Sequence, residues 1–383
     1  MTSASELLPL WDRQAEWARR LAMIREARSF LYLSTYYLEY DDYGIALLTA
    51  LQEAQARGVA VNLLVDGFGQ RLGGVLMTRA QRTSLDERLE ELRAAGGVVT
   101  VYQPPERLQR ALGGGQHVKI QVSEAGEAIF GSSNVTRTSF EKWNEYSVAL
   151  RGPVTARLLE SYADIGGTVS PAHVAHLEAL ASGPGADLAL DYWICNPNAW
   201  QGWWGPIGWQ GSNVVTSRLV DMMDAARESI LITSFYFKPV EPLLAALERA
   251  AGRGVHVEIH HSHRDALPAT DLAWIAAAVG YGRLLGAGVR VFENRQGEHS
   301  KIVLVDDAWV AFGSYNFEDA AHDRLAEAML ASRDARAIAP ARAIFDEVRR
   351  QPHNVPVTPD ALSALPAGLR ARMALLGRFK RWM

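Results

Sequence analysis

Residues 117–145 and 299–327 share a set of five polar residues at the same spacing, 182 positions apart. The first stretch reads HVKIQVSEAGEAIFGSSNVTRTSFEKWNE and the second HSKIVLVDDAWVAFGSYNFEDAAHDRLAE. His117 matches His299, Lys119 matches Lys301, Ser132 matches Ser314, Asn134 matches Asn316, and Glu145 matches Glu327. The chain has only five lysines, so two of them falling two residues after a histidine, each with the same Ser, Asn and Glu partners, is not chance. A repeat of this length restricts the fold to two copies of one unit.

The spacing has a physical meaning. A His and a Lys at i and i+2 share one face of a strand, while Ile120, Val122, Ile302 and Leu304 occupy the other and can reach a core. A short turn at 124–127 or 306–307 leads into a second apolar run, which ends at Gly131-Ser132-Ser133-Asn134 or Gly313-Ser314-Tyr315-Asn316. Each copy thus gathers an imidazole, an ammonium, a hydroxyl and an amide, with a carboxylate that could hold the imidazole tautomer. Such donors suit the non-bridging oxygens of a phosphoryl group.

The repeat reaches beyond these stretches. Residues 28–37 (RSFLYLSTYY) parallel 228–237 (ESILITSFYF), each a β-rich run after a helical segment. Ala/Leu-rich helices at 45–57 and 242–253 stop at Arg57-Gly58 and Arg253-Gly254, before the strands VAVNLLVD and VHVEIHHS. The expected class is therefore α/β: two lobes, each a mixed β-sheet flanked by helices. The predicted boundaries are 1–165 for the first lobe, 166–212 for a Trp-rich insert, 213–350 for the second lobe, and 351–383 for a basic tail.

The paired motifs resemble the phospholipase D superfamily, whose signature is H-x-K-x4-D followed by G-S-x-N. The second copy fits in full with His299, Lys301, Asp306, Gly313, Ser314 and Asn316; the first has Glu124 in place of the Asp, a turn and packing position. Within the superfamily, YLEYDDYG (37–44), LVDGFG (64–69) and FYFKP (235–239) look like segments of bacterial cardiolipin synthases. The resemblance implies lobes related by a pseudo-twofold axis, with His117 and His299 face to face at the lobe interface. It implies phosphodiester exchange through a phosphohistidine, without metal or other cofactor, with His117 as nucleophile and His299 as acid and base. Lys119, Lys301, Asn134 and Asn316 would hold the phosphoryl oxygens, and Ser132, Ser314, Tyr36 and Tyr236 would contact substrate. Glu145 is expected to orient His117, and Glu327 to orient His299.

Composition and the remaining segments narrow the substrate. A formal charge of −4 counts against nucleic acid, whose binders present a basic face. One cysteine excludes an internal disulfide, no run of eighteen apolar residues suggests a spanning helix, and the N-terminus does not read as a secretory signal, so cytoplasmic residence is the default. Trp200, Trp203, Trp204 and Trp209 lie among Gly and Pro in a pattern that suits either a membrane interface or a cap on the core. After Asp360 the charged residues are all basic, with Leu365, Leu369, Met373, Leu376 and Met383 at helical spacing, which predicts an anchor at the inner, anionic face of the cell membrane. The expected reaction is phosphatidyl transfer giving a cardiolipin-type lipid, from two phosphatidylglycerols or from phosphatidylglycerol and phosphatidylethanolamine. Phospholipid hydrolysis is the alternative, and nucleic-acid cleavage the weaker one.

Overall fold

Each half of the repeat is built on the apolar run that precedes its motif. The computed structural model describes residues 1–181, 185–199, 212–267 and 271–376. In the first lobe, Phe30–Thr35 is a wholly buried strand, parallel to Ala60–Asp66 on one side and antiparallel to the motif strand Lys119–Ser123 on the other. Val98–Tyr102 extends the parallel side, while Glu127–Gly131, Ser147–Arg151 and Glu6–Leu10 complete seven strands on the antiparallel side. The second lobe repeats the plan, with Ser229–Ser234 at the centre between His256–Ser262 and the motif strand Ile302–Val305. Two α/β units, each closed by a short antiparallel hairpin that carries its motif, are what the alternating helix and strand patterns require.

The chain does not divide as cleanly as the repeat. Leu188–Cys195, which falls in the expected insert, is a strand of the second sheet, paired with Leu325–Ser332. The N-terminal Thr2–Ala4 crosses over to pair with it, and Asn354–Pro356 closes the opposite edge. The Trp-rich run 200–209 lies outside the described residues.

A shared core joins the lobes. Ile120, Val122 and Phe130 pack in one cluster with Ile302, Leu304 and Phe312, so the faces opposite the lysines meet at the interface as the strand period dictates. Tyr146 meets Phe312 there with ring centroids 5.3 Å apart. Helices such as Asp42–Ala56 in the first lobe and Glu241–Gly252 in the second cover the outer faces and carry separate cores.

Two sequence expectations change. The lobes superpose with Ser34 on Thr233, not Ser234: the Ser34 hydroxyl accepts from the Ile120 amide at 3.0 Å, and the Thr233 hydroxyl from that of Ile302 at 3.0 Å. Tyr36 therefore corresponds to Phe235, and Tyr37 to Tyr236. The tail also behaves differently from an anchor. Its helix Ala367–Leu376 turns Leu369, Met373 and Leu376 onto the second lobe's own core, which Leu365 just before the helix also touches, and Arg372 pairs with Asp271 at 3.0 Å. That apolar stripe is spent on the protein; Met383 lies outside the described residues. Among the described residues no helix is long and apolar enough to cross a membrane.

Candidate active site

The two motifs meet across the lobe interface, and the backbone decides how. The amide of His117 donates to the carbonyl of Ala326 at 2.8 Å, next to Glu327, and the amide of His299 donates to the carbonyl of Asn144 at 2.8 Å, next to Glu145. Each histidine is thus delivered to the carboxylate of the opposite lobe. His299 Nδ1 lies 2.7 Å from Glu145 Oε2, and His117 Nδ1 lies 3.0 Å from Glu327 Oε1 and 3.1 Å from the Ser314 carbonyl. The pairing expected within each lobe is therefore crossed. With Nδ1 taken up by these acceptors, Nε2 of each ring is left for chemistry.

The serines also take a different part from the one expected. Ser132 Oγ donates to Glu145 Oε2 at 2.5 Å and accepts from the Tyr146 amide at 3.0 Å. Ser314 likewise donates to Glu327 and accepts from the Ala328 amide at 3.0 Å. Both hydroxyls are buried and engaged, so they fix the carboxylates rather than reach a substrate. Asp306, beside Asp307 in a hairpin where both residues have positive φ, accepts from the amides of Arg227, Glu228 and Ser229. Glu124 does the equivalent work with one bond, to the Arg28 amide at 2.5 Å. The motif's acidic position is a staple for the central strand, as its turn assignment implies.

His117, His299, Asn134 and Asn316 line one cleft of about 180 Å³, together with Tyr36 and Tyr236. Asn316 Oδ1 is buried without a partner. Lys119 and Lys301 are buried beneath, each donating to the carbonyl of its own motif histidine. Burial lowers both ammonium groups, Lys301 to about 8, and the charge of Lys301 pushes Lys119 well below its usual value. Glu145 and Glu327 offset this only in part, so two crowded ammonium groups in a dry site suit an incoming phosphodiester, whose negative charge would favour the protonated form of both.

The aromatic surroundings break the symmetry. The Trp143 ring stacks on His299 at 4.9 Å, and Phe235 meets the same imidazole edge-on at 4.7 Å. Among the described residues His117 has only the edge of Tyr36, at 4.7 Å, and the repeat places Leu325 where Trp143 stands. Neither Trp143 nor Phe235 belongs to the sequence motif; the signal that marks them is their place in the repeat, two residues before Glu145 and at the position equivalent to Tyr36. The carboxylates differ as well. Burial raises both, but in Glu145 the charges of His299 and Lys301 and the Ser132 hydrogen bond outweigh it, bringing it to about 2. In Glu327 burial prevails over Lys119, Ser314 and Lys301, raising it to about 8. Burial also lowers His117 well below the usual imidazole value, reinforced by Lys119 and Lys301, and lowers His299 to about 4 against the opposing charge of Glu145. Both rings are neutral at rest, and His299 is the one facing a full negative charge.

Comparison with known proteins agrees with this architecture. Residues 21–164 and 219–349 match the family model described as cardiolipin synthase, PLD-like domain. Cardiolipin synthase B of Escherichia coli K12 is 28% identical over 313 residues, covering 77% of this chain and 68% of that one. Cardiolipin synthase of Geobacillus kaustophilus is 25% identical over 331 residues, 82% of this chain and 60% of its own. The crystal structure of phosphatidylserine synthase from Haemophilus influenzae Rd KW20 superposes with a TM-score of 0.75 over all of this chain and 95% of that one, at 15% identity, so that likeness speaks for the fold.

Proposed function

Because the chain belongs to the cardiolipin synthase, PLD-like domain family and is an enzyme of the phospholipase D superfamily, we propose that it transfers phosphatidyl groups between lipid alcohols to give a cardiolipin-type phospholipid. The observation that carries this reading is the pair of crossed His–Glu dyads converging on one cleft with a largely apolar wall.

The chemistry follows from the asymmetry. Neutral His117 attacks phosphorus through Nε2; the N–P bond forms as the bond to the leaving alcohol breaks. An anionic substrate raises both imidazoles, and His299, stacked on Trp143 and facing Glu145, is the ring that best carries the proton. It gives that proton to the departing oxygen, then takes one from the incoming alcohol, which displaces His117. Lys119, Lys301, Asn134 and Asn316 balance the charge on the phosphoryl oxygens. Tyr36, edge-on to His117, and Tyr236 across the cleft would pack against the headgroup.

The donor proposed is phosphatidylglycerol, and the acceptor a second phosphatidylglycerol or phosphatidylethanolamine. Mass spectrometry of lipids after incubation with phosphatidylglycerol dispersed in detergent tests this directly. A bis-phosphatidyl product is expected. Phosphatidic acid alone would mean that water is the acceptor and the enzyme a hydrolase, and no change in the lipid would overturn the reading.

A further inference from the structure

One helix beside the cleft is built inside out. Gly67–Leu76 follows the strand Ala60–Asp66 and is capped by Asp66, which accepts from the amides of Phe68 and Gly69. A surface helix ordinarily turns its large apolar residues inward. Here the glycines face in, and Leu72, Val75 and Leu76 face out, 47%, 70% and 37% exposed. The glycines are required by close approach. A Cβ on Gly69 would sit 2.5 Å from the Tyr36 carbonyl oxygen, and one on Gly73 would sit 2.5 Å from the Tyr37 ring. The helix is thereby clamped onto the tyrosines that line the catalytic cleft.

Its exposed residues are not a scattered few. Leu72, Val75 and Leu76 form one lip of the cleft that holds His117 and His299, and Leu267 and Ala273 of the second lobe form the other. Val75 also lines an adjoining groove of about 580 Å³, which continues over Phe68, Leu85 and Val101. Basic residues flank this apolar rim. Arg71 is exposed and its guanidinium lies over the Phe68 ring at 5.3 Å, while Arg110 and Arg82 line the groove. The acidic groups nearby are Asp86 in the groove and Glu106, the N-cap of Arg107–Ala111.

We propose that this rim helix is the element that seats the enzyme on an anionic phospholipid bilayer, with Leu72, Val75 and Leu76 in the apolar layer and Arg71 and Arg110 at the phosphates. An amphipathic helix binds a bilayer through buried apolar area plus attraction of basic residues to anionic lipid. Continuity of the rim with the cleft selects a lipid surface over other occupants: a lipid rising along this lip meets the catalytic histidines without crossing water. The inference rests on the lipid reading above and adds the place where lipid enters. It also replaces the tail stripe Leu365–Leu376, which is committed to the second lobe.

The test uses the full chain with the buried Cys195 replaced by Ser and one new cysteine carrying an environment-sensitive dye. The sites are Val75→Cys on the rim, Leu375→Cys on the tail and Leu180→Cys as a distant control, all exposed positions. Vesicles of phosphatidylglycerol and phosphatidylcholine are added, some with spin labels along the acyl chains. The dye at 75 should brighten and be quenched by the acyl spin labels, and those at 180 and 375 should not. Arg71→Glu and Arg110→Glu should each weaken vesicle binding, about fivefold per basic charge removed. Four results would overturn the proposal: a dye at 75 that stays in water while the protein sediments with vesicles; quenching at 375 instead; no vesicle binding at all; or brightening at 75 with protein concentration in the absence of lipid, which would identify a second copy as the occupant. None of these touches the detergent assay of product, so failure of the seat and failure of the transfer reading remain distinct.

Discussion

Glu145→Gln should disable His299 and leave His117 structurally untouched, although Glu145 and His117 share a lobe. The substitution removes the anion 2.7 Å from His299 Nδ1 while keeping an oxygen for the Ser132 hydroxyl. At an effective dielectric of about 20, a unit charge pair at that distance is worth on the order of 6 kcal/mol. Rearrangement recovers part of this, and breaking buried pairs costs about 3–5 kcal/mol in practice. If that falls on the step in which His299 carries a proton, kcat drops by about a hundred- to a few-thousandfold. The assay pairs turnover of phosphatidylglycerol in detergent with NMR of nitrogen-15-labelled histidine side chains. The Nδ1–H signal of His299 should move on Glu145→Gln, while that of His117, held by Ser314 and Glu327, should stay. Movement of the His117 signal instead would refute the crossed arrangement. Turnover within tenfold of the parent would refute the argument that Glu145 sustains the imidazolium.

The repeat was legible because its ends are pinned by rare residues, with His, Lys, Asn and Glu recurring 182 positions apart. The central strands slipped by one residue because both contain a serine near their ends and the runs around them are apolar. Only the hydrogen bonds of Ser34 and Thr233 to the motif strands fix which residues correspond, and a slip of one exchanges the faces of a strand. Crossing of the dyads was not legible, since each glutamate follows its own histidine at the same distance in both copies. What decides it is the pairing of Gly115-Gln116 with Leu325-Ala326 and the bridge from Asn144 to Glu298, long-range contacts with no local trace. The tail shows the opposite limit: an amphipathic stripe states that a face will be buried, and not against what. Leu369 and Met373 find their cover in the protein's own core. On the rim helix the pattern GFGQRLGGVL hides its meaning until the tyrosines beneath the glycines are seen.

Three further outcomes are expected. Asp306→Ala removes the acceptor of three backbone amides, only one of them part-buried, and should lower stability in urea by about 1–2 kcal/mol, with turnover per folded molecule within about threefold; complete loss of activity in a folded variant would place Asp306 in the chemistry. Burial raises Glu327 from 4.5 to about 8, and such a raised carboxyl gives stability that is complete below the unfolded value near 4.5 and is lost as pH rises through about 8. Glu327→Gln, which cannot ionise, should therefore raise Tm at pH 8 by about 2–4 °C in thermal denaturation while removing most turnover; a lower Tm would contradict the sign. The last concerns Trp143, whose face covers His299 with 20° between the planes. An aromatic face over a cation is worth about 0.5–2 kcal/mol, and phenylalanine presents a weaker one, so Trp143→Phe should lower kcat/KM by about threefold. Because the lost stabilisation belongs to the protonated ring, the basic limb of the pH profile, where His299 loses its proton, should move to lower pH by about a few tenths of a unit. Movement of the acidic limb instead would assign the stacked ring the nucleophile's part and exchange the roles of His117 and His299.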